Sequence, residues 1–425
     1  MTEPKTAIDL LVHGASEVAT PEGRAARGGA RFGPLRIVKN GAIAIHQGRI
    51  VEVGDGDDLL RRFDATTKLD AQGGTVVPGL IDAHTHPVFG GTREGEFEQR
   101  LAGATYVEIA AAGGGIASSL RGVREASHEV LVANLMVRLD RFLALGTTTV
   151  EAKSGYGLSL EDELKCLEVI AEANRLHPVD LVPTFLGAHD VPPEFRGRKD
   201  EYVQLVVDEM LPAVAERGLA RYCDVFTEAH TFDLDDTRRV LHAARDLGFG
   251  LRLHVDQLTS FGGAELAAEL GAASADHLEH VSPAGIEALA GANVVPVLCP
   301  VVPLFLRESQ EAPGRAMVQG GLAPALATDF NPGSCYLQSL FEVLSWGALR
   351  YGFGPGEALT AATLNAAASL DRADTVGTLE PGKVADLVVT DLPNHRHLVY
   401  ELGRSPVRAV VKDGQVVLDA SMPVR

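Results

Sequence analysis

His84 and His86 lie one residue apart in "VVPGLIDAHTHPVFGG" (76–91). Side chains two positions apart on a strand leave the same face. The pair therefore offers two imidazoles to one point, either as half of a metal site or as two satisfied polar residues at a strand end. "LRLHVDQ" brings His254 and "LATDFNPG" brings Asp329 to equivalent ends of later apolar runs. Catalytic Zn²⁺ typically takes three protein ligands drawn from such groups and keeps a place for water; ferrous iron accepts the same donors. His84, His86, His254 and Asp329, from three separate segments, are the expected ligands of one ion. Because a bound metal lowers the pKa of water towards about 7, the expected chemistry is hydrolysis.

Other residues could serve that reaction. His277 and His280 stand in "DHLEH". A histidine beside activated water suits proton transfer near neutral pH, and Asp329 could share that work. Arg93, in "GGTREGEFEQR", would clamp a substrate carboxylate or pair with Glu94 or Glu96. Tyr156 tips the loop "KSGYGL", to hydrogen-bond a ligand or to pack the loop. "NPGSC" presents Asn331 and the backbone at Gly333 and Ser334. Glu228 and Lys153 either bridge a second metal or are buried in ion pairs; a single metal is the economical reading. The run "AAGGGI" (111–116) lacks the strand context of a phosphate loop and is expected to be a turn or lid, in an 87–120 region that could move over the mouth.

These side chains need a frame that brings distant segments together. Short apolar stretches alternate with helical ones from about residue 79 to 375, the grammar of βα units. Eight candidate strands can be counted: "VVPGLIDAH", "GTTTVEAK", "DLVPTFLGAH", "YCDVFTEAH", "FGLRLHVDQ", "ASADHLEH", "NVVPVLC" and "APALATDF". Helices are predicted over 99–144, 160–176, 199–217, 235–247 and 262–270. The pattern suggests an α/β fold with a (β/α)8 TIM-type barrel, an open doubly wound sheet being the alternative. Most strands end on a residue able to do chemistry: His84 and His86, Lys153, His189, Glu228, His254, His277 and Asp329. Barrel active sites gather at the carboxyl ends of the strands, so one mouth would collect them. Both ends of the chain instead read as short Val- and Ile-rich hairpins punctuated by Gly turns.

Composition narrows the function classes. Of 425 residues, 38 are basic and 57 acidic, a formal charge of −19 that argues against nucleic acid or an anionic membrane as partner. Four scattered cysteines without a CxxC fit reduced, buried thiols. The N-terminus lacks a signal-peptide pattern, and no apolar run reaches the roughly 20 residues of a membrane span. A soluble cytoplasmic protein is expected.

"PGLIDAHTH", the strand-end His254, His277 and Asp329, and "LEPGKVADLVV" together resemble the amidohydrolase superfamily. The resemblance implies a metal-bearing barrel over 79–375, with residues 1–78 and 376–425 forming a composite β-sandwich. "DAHTHPVFGGTRE", "GGGI", "TTTVEAKSGYGL", "TFLGAHDVP", "LHVDQ" and "ATDFNPGSC" extend it, in order, through nearly the whole barrel. They are similar to members that open 4-imidazolone-5-propanoate to N-formimidoyl-L-glutamate in histidine degradation. The resemblance then implies one Zn or Fe ion on His84, His86, His254 and Asp329. Arg93, Tyr156, His189 and Gln257 would contact substrate, with Asn331, Gly333 and Ser334 at its other end, and the assembly would be a homodimer. Some relatives have Glu at the position of Gln257. A neutral amide cannot shuttle a proton, so His277 and Asp329 are left as the proton movers. His230, in "FTEAHTF", stands where a smaller residue is expected. A deaminase on the same fold and a non-enzymatic metabolite binder are the competing readings; Arg93, which needs a carboxylate, separates the first from the ring hydrolase.

Overall fold

A computed structural model describes residues 5–104, 108–109 and 112–420. Eight strands form one parallel sheet in chain order: Leu80–Asp82, Thr147–Lys153, Asp180–Ala188, Tyr222–Thr227, Gly250–Val255, Ser274–His277, Val295–Leu298 and Ala325–Leu326. Its two ends meet just beyond the first and last strands. Thr85 and Phe330 form a parallel bridge, the His86 amide donates to the Phe330 carbonyl at 2.9 Å, and the Asp329 amide to the His84 carbonyl at 3.1 Å. An open doubly wound sheet has two free edges; here the edges are joined, and the fold is a closed (β/α)8-type barrel.

The first predicted strand needs correction. "VVPGLIDAH" is not one element: Thr75–Pro78 pairs antiparallel with Leu387–Thr390 in a different sheet, and only Leu80–Asp82 enters the barrel. The exchange of partners happens at Gly79. Its amide donates to the Asp386 carbonyl, while that of Leu80 donates to Gly146. A β-carbon on Gly79 would meet the Thr148 side chain, so the crossover needs glycine.

The predicted 160–176 helix is found unchanged, with Ser159 accepting from the Asp162 amide at its start. The predicted 99–144 helix is not continuous: among the described residues its place is taken by Glu94–Leu101, Ile116–Glu125 and His128–Ala144. Gly115 (φ +70) and the Ser127 cap interrupt it. The stretch 199–217 is helical throughout but carries a π turn at Val206–Met210. "AAGGGI" begins at a residue outside those described; its described part turns into the helix that starts at Ile116, and residues 105–107, 110 and 111 of the 87–120 region also lie outside them.

The chain ends build two further sheets. Arg49–Asp55, Gly41–His46, Thr6–His13 and Phe63–Asp70 form one. The other runs Gln415–Asp419, Val407–Lys412, Leu387–Thr390, Thr75–Pro78, Glu17–Thr20 and Arg36–Lys39. Ile43 and Ile45 of the first pack with Leu387, Val389 and Val411 of the second, the alternation of inner faces expected of a sandwich. Among the described residues no helix is long and apolar enough to cross a membrane. All four cysteines are buried and free.

Candidate active site

Of the residues singled out at strand ends, His84, His86, His189, His254, His277 and Asp329 converge. His84 and His86 follow the three-residue first strand on an extended segment, and both rings are buried. His254 comes from the fifth strand, His277 ends the sixth, and Asp329 lies three residues past the two-residue eighth. The backbone is held in the left-handed region at His277 (φ +79) and Asp329 (φ +50), a strained conformation that turns each side chain into the mouth. His84 Nε2 lies 3.5 Å from Asp329 Oδ1, His86 Nε2 lies 3.4 Å from the same oxygen, and His86 Nε2 is 3.3 Å from His254 Nε2.

These spacings suit one ion. Donors about 2.1 Å from a tetrahedral centre lie about 3.4 Å apart. His84 Nε2 and Asp329 Oδ1 are buried without a hydrogen-bond partner among the described residues, a costly state unless something accepts their lone pairs. Two overlapping groups of donors share His84: His84, His86 and Asp329, and His84, His254 and His277. His277, expected only to move protons, is thus also within reach of the same point. The residues present fit a metal ion.

Carboxylates set the tautomers. Asp276 Oδ2 lies 2.6 Å from His84 Nδ1, and Asp224 Oδ1 lies 3.1 Å from His254 Nδ1, so each Nε2 keeps its lone pair for the mouth. Burial and the Lys153 ammonium hold His84 well below the usual imidazole range. Burial brings His254 down to about 4 against the pull of Asp224. Both rings are therefore neutral, as ligands must be. His277 differs: burial pushes it down, but Glu279, 3.7 Å from its Nδ1, and Asp329 outweigh that and hold it above the ordinary value.

Lys153 and Glu228 do not face the mouth as bridging ligands. Lys153 Nζ donates to Glu151 at 2.8 Å and Asp224 at 2.7 Å, all three fully buried. Carboxylating that amine would replace a cation by an anion among carboxylates. Glu228 accepts from the amides of Ala229, Leu258 and Thr259 and from the Thr259 hydroxyl, tying down the loop that carries Gln257.

Above the donors opens a cleft lined by His86, His254, His277 and Asp329 together with Arg93, Tyr156, His189, Gln257, Asn331 and Ser334. Arg93 is buried and donates to Glu96 at 2.6 and 2.9 Å, so the pairing foreseen as its alternative coexists with a place in the cleft wall. His189 stacks on His86 at 5.1 Å and pairs through Nδ1 with the Gly155 carbonyl. Asn331 is spent largely on its own turn: its Oδ1 accepts from the amides of Gly333 and Ser334, and its Nδ2 donates to the Asp329 carbonyl. Gly333 is not in the cleft lining. It lies behind Arg93, with its carbonyl accepting from Arg100 at 2.7 Å. His230 is exposed at the rim and touches Phe226 rather than the cleft.

Residues 190–417 match the model of the amidohydrolase family. The imidazolonepropionase of Symbiobacterium thermophilum is 48% identical over 97% of this chain and 98% of its own. That of Solibacter usitatus is 50% identical over 92% and 94%. The chain belongs to the imidazolonepropionase family. A zinc-bound adenosine deaminase from Xanthomonas campestris, 21% identical, superposes with a TM-score of 0.71 over 98% of this chain and 94% of that one, and shares the fold.

Further residues, away from the strand ends, shape this imidazolonepropionase-family site. Glu163 sits fully buried on the 160–176 helix and accepts from the amides of Gly155, Gly157 and Leu158, fixing the loop that aims Tyr156. Burial pushes its carboxyl up, and those amides pull against it. Phe226, Ile116, Leu258 and Leu306 supply apolar wall. Asp224 and Asp276 lie inside the fourth and sixth barrel strands rather than at their ends. Alternation along "YCDVF" and "SADH" could have flagged them as inward-facing acids.

Proposed function

We propose that this chain hydrolyses 4-imidazolone-5-propanoate to N-formimidoyl-L-glutamate in histidine degradation. The observation that carries the reading is the pair of buried, unpartnered donors, His84 Nε2 and Asp329 Oδ1, at the foot of a cleft whose wall holds Arg93. His84, His86, His254 and Asp329 would hold one Zn or Fe ion per subunit. Bound there, the ion would supply Lewis acidity, polarising the ring carbonyl and lowering the pKa of the attacking water.

The chain's own residues do the rest. Arg93 binds the propanoate carboxylate, held in place by Glu96. Tyr156, His189 and Gln257 hold the ring, and the turn of Asn331, Gly333 and Ser334 backs Arg93 at the carboxylate end. Asp329 takes the proton that leaves the attacking water. His277 gives a proton to the ring nitrogen as the C–N bond breaks. The apolar Phe226, Leu258 and Leu306 keep bulk water from the reacting carbon.

On this reading residues 79–375 carry the chemistry, residues 1–78 with 376–425 form a supporting sandwich, and the working enzyme is a cytoplasmic homodimer. The deciding experiment is chelation. Hydrolysis of the imidazolone should vanish in chelator-treated protein and return with Zn²⁺ or Fe²⁺; full turnover by metal-free protein overturns the proposal.

A further inference from the structure

Beneath the candidate ligands lies a second layer of charge that the reaction does not use. Glu151 and Lys153 come from the second barrel strand, Asp224 from the fourth, Arg252 from the fifth and Asp276 from the sixth, and all five are fully buried. Three carboxylates and two cations share the space. Lys153 Nζ donates to Glu151 and Asp224 and stands 3.7 Å from Asp276 Oδ2. Arg252 Nη2 is 3.3 Å from the same Asp276 oxygen and 2.8 Å from the Ala83 carbonyl, so Arg252 braces the first strand as well as the acid.

Of the three carboxylates around Lys153, two orient histidines. Asp224 grips His254 and Asp276 grips His84. Asp224 has no other cation in contact among the described residues; its Oδ2 takes the Lys153 ammonium, its Oδ1 takes the His254 amide, and His254 Nδ1 lies 3.0 and 3.1 Å from the two oxygens. Without that ammonium, a buried carboxylate would lose its only charge partner and be free to leave the imidazole. Two opposed effects then bear on metal affinity. A cation below the site repels an incoming dication, which favours looser binding in its presence. A preset pair of imidazoles spares the ion the cost of ordering them, which favours tighter binding. Three buried carboxylates surround Lys153 Nζ and offset its charge, so the ordering effect should win.

We infer that Lys153 is a positioning residue of the metal centre, its ammonium locking Asp224 and drawing in Asp276 so that His254 and His84 stay aimed before any ion arrives. The inference rests on the metal reading above and adds to it a group that touches neither ion nor substrate.

The test uses the full chain carrying Lys153→Met, which keeps length and bulk and removes the charge. Affinity for Zn²⁺ is measured by competition with a chelator, and ligand geometry by the visible spectrum of the Co²⁺-loaded protein. The expected result is affinity about 10–100-fold weaker than wild type, the range typical of losing an outer partner of a ligand, with a changed cobalt spectrum. Affinity within threefold of wild type and an unchanged spectrum would assign Lys153 to packing alone and overturn the inference. Tighter binding would overturn it too, by making repulsion the larger effect. Should Lys153→Met not fold, Lys153→Arg decides: charge kept and head group enlarged, it should hold affinity within about fivefold yet move the spectrum, and an unmoved spectrum overturns the inference. A wild type that takes up neither ion sinks the metal reading itself, and this inference with it.

Discussion

A β-carbon at Gly333 would lie 2.5 Å from Cζ of Arg93. The turn cannot back away, because Asn331 accepts from the Gly333 amide and Arg100 donates to the Gly333 carbonyl. Glycine at 333 thus makes room for the guanidinium rather than lining the cleft. Gly333→Ala should displace Arg93 and raise KM for the carboxylated substrate roughly tenfold, about 1.4 kcal/mol of binding, with a smaller change in kcat. Steady-state kinetics on the imidazolone checks it; an unchanged KM would remove Arg93 from substrate binding.

Arg93→Met tests the same contact directly. Losing a charged hydrogen-bonded partner costs about 2–3 kcal/mol, so KM should rise by one to two orders of magnitude. Glu96 would be left largely buried without its partner, which could itself perturb the site. Arg93→Met combined with Glu96→Gln separates the two: KM stays high if Arg93 binds the carboxylate. A high KM only in the single variant would trace the defect to Glu96.

Glu163→Gln reaches the site through a loop. The carboxylate accepts from three backbone amides at 2.8 to 3.0 Å; an amide side chain turns an NH₂ against some of them. The expected cost is about 2–3 kcal/mol of stability, seen as a lower Tm, together with a raised KM as Tyr156 loses its aim. A lower Tm with unaltered KM would show that Tyr156 only packs the loop.

A pH effect is expected far from the mouth. Burial pushes the Asp386 carboxyl up to about 6, despite Lys412 3.2 Å away. A carboxyl whose folded pKa is raised gives stability that is complete below its unfolded pKa, near 4, and lost as pH climbs through about 6. The window is therefore pH 4 to 6, and the loss is on the order of 3 kcal/mol at most. Asp386→Asn keeps the acceptor for the Asp413 amide and cannot ionise. Its Tm relative to wild type should rise across that window; a constant difference from pH 4 to 8 would contradict the shift.

Much of this protein could be read without coordinates. Apolar runs, turn residues and helix caps act over a few positions, so all eight barrel strands and the 160–176 helix were legible, and so were the histidines and Asp329 at their ends. What tertiary structure decided depends on which segments become neighbours. His84 meets Asp276 across 192 positions of chain, and no local pattern encodes that meeting. The same holds for Thr75–Pro78, whose Val-rich sequence suits either sheet and which joins the terminal one because Gly79 lets the chain change partners. Lys153 and Glu228 have side chains able to hold metal or to pair. Only their surroundings, carboxylates for one and a row of amides for the other, settle that they are paired and do not bridge a second metal. A residue's type limits what it can do, and the charges and donors packed against it in the dry interior select which of those things it does.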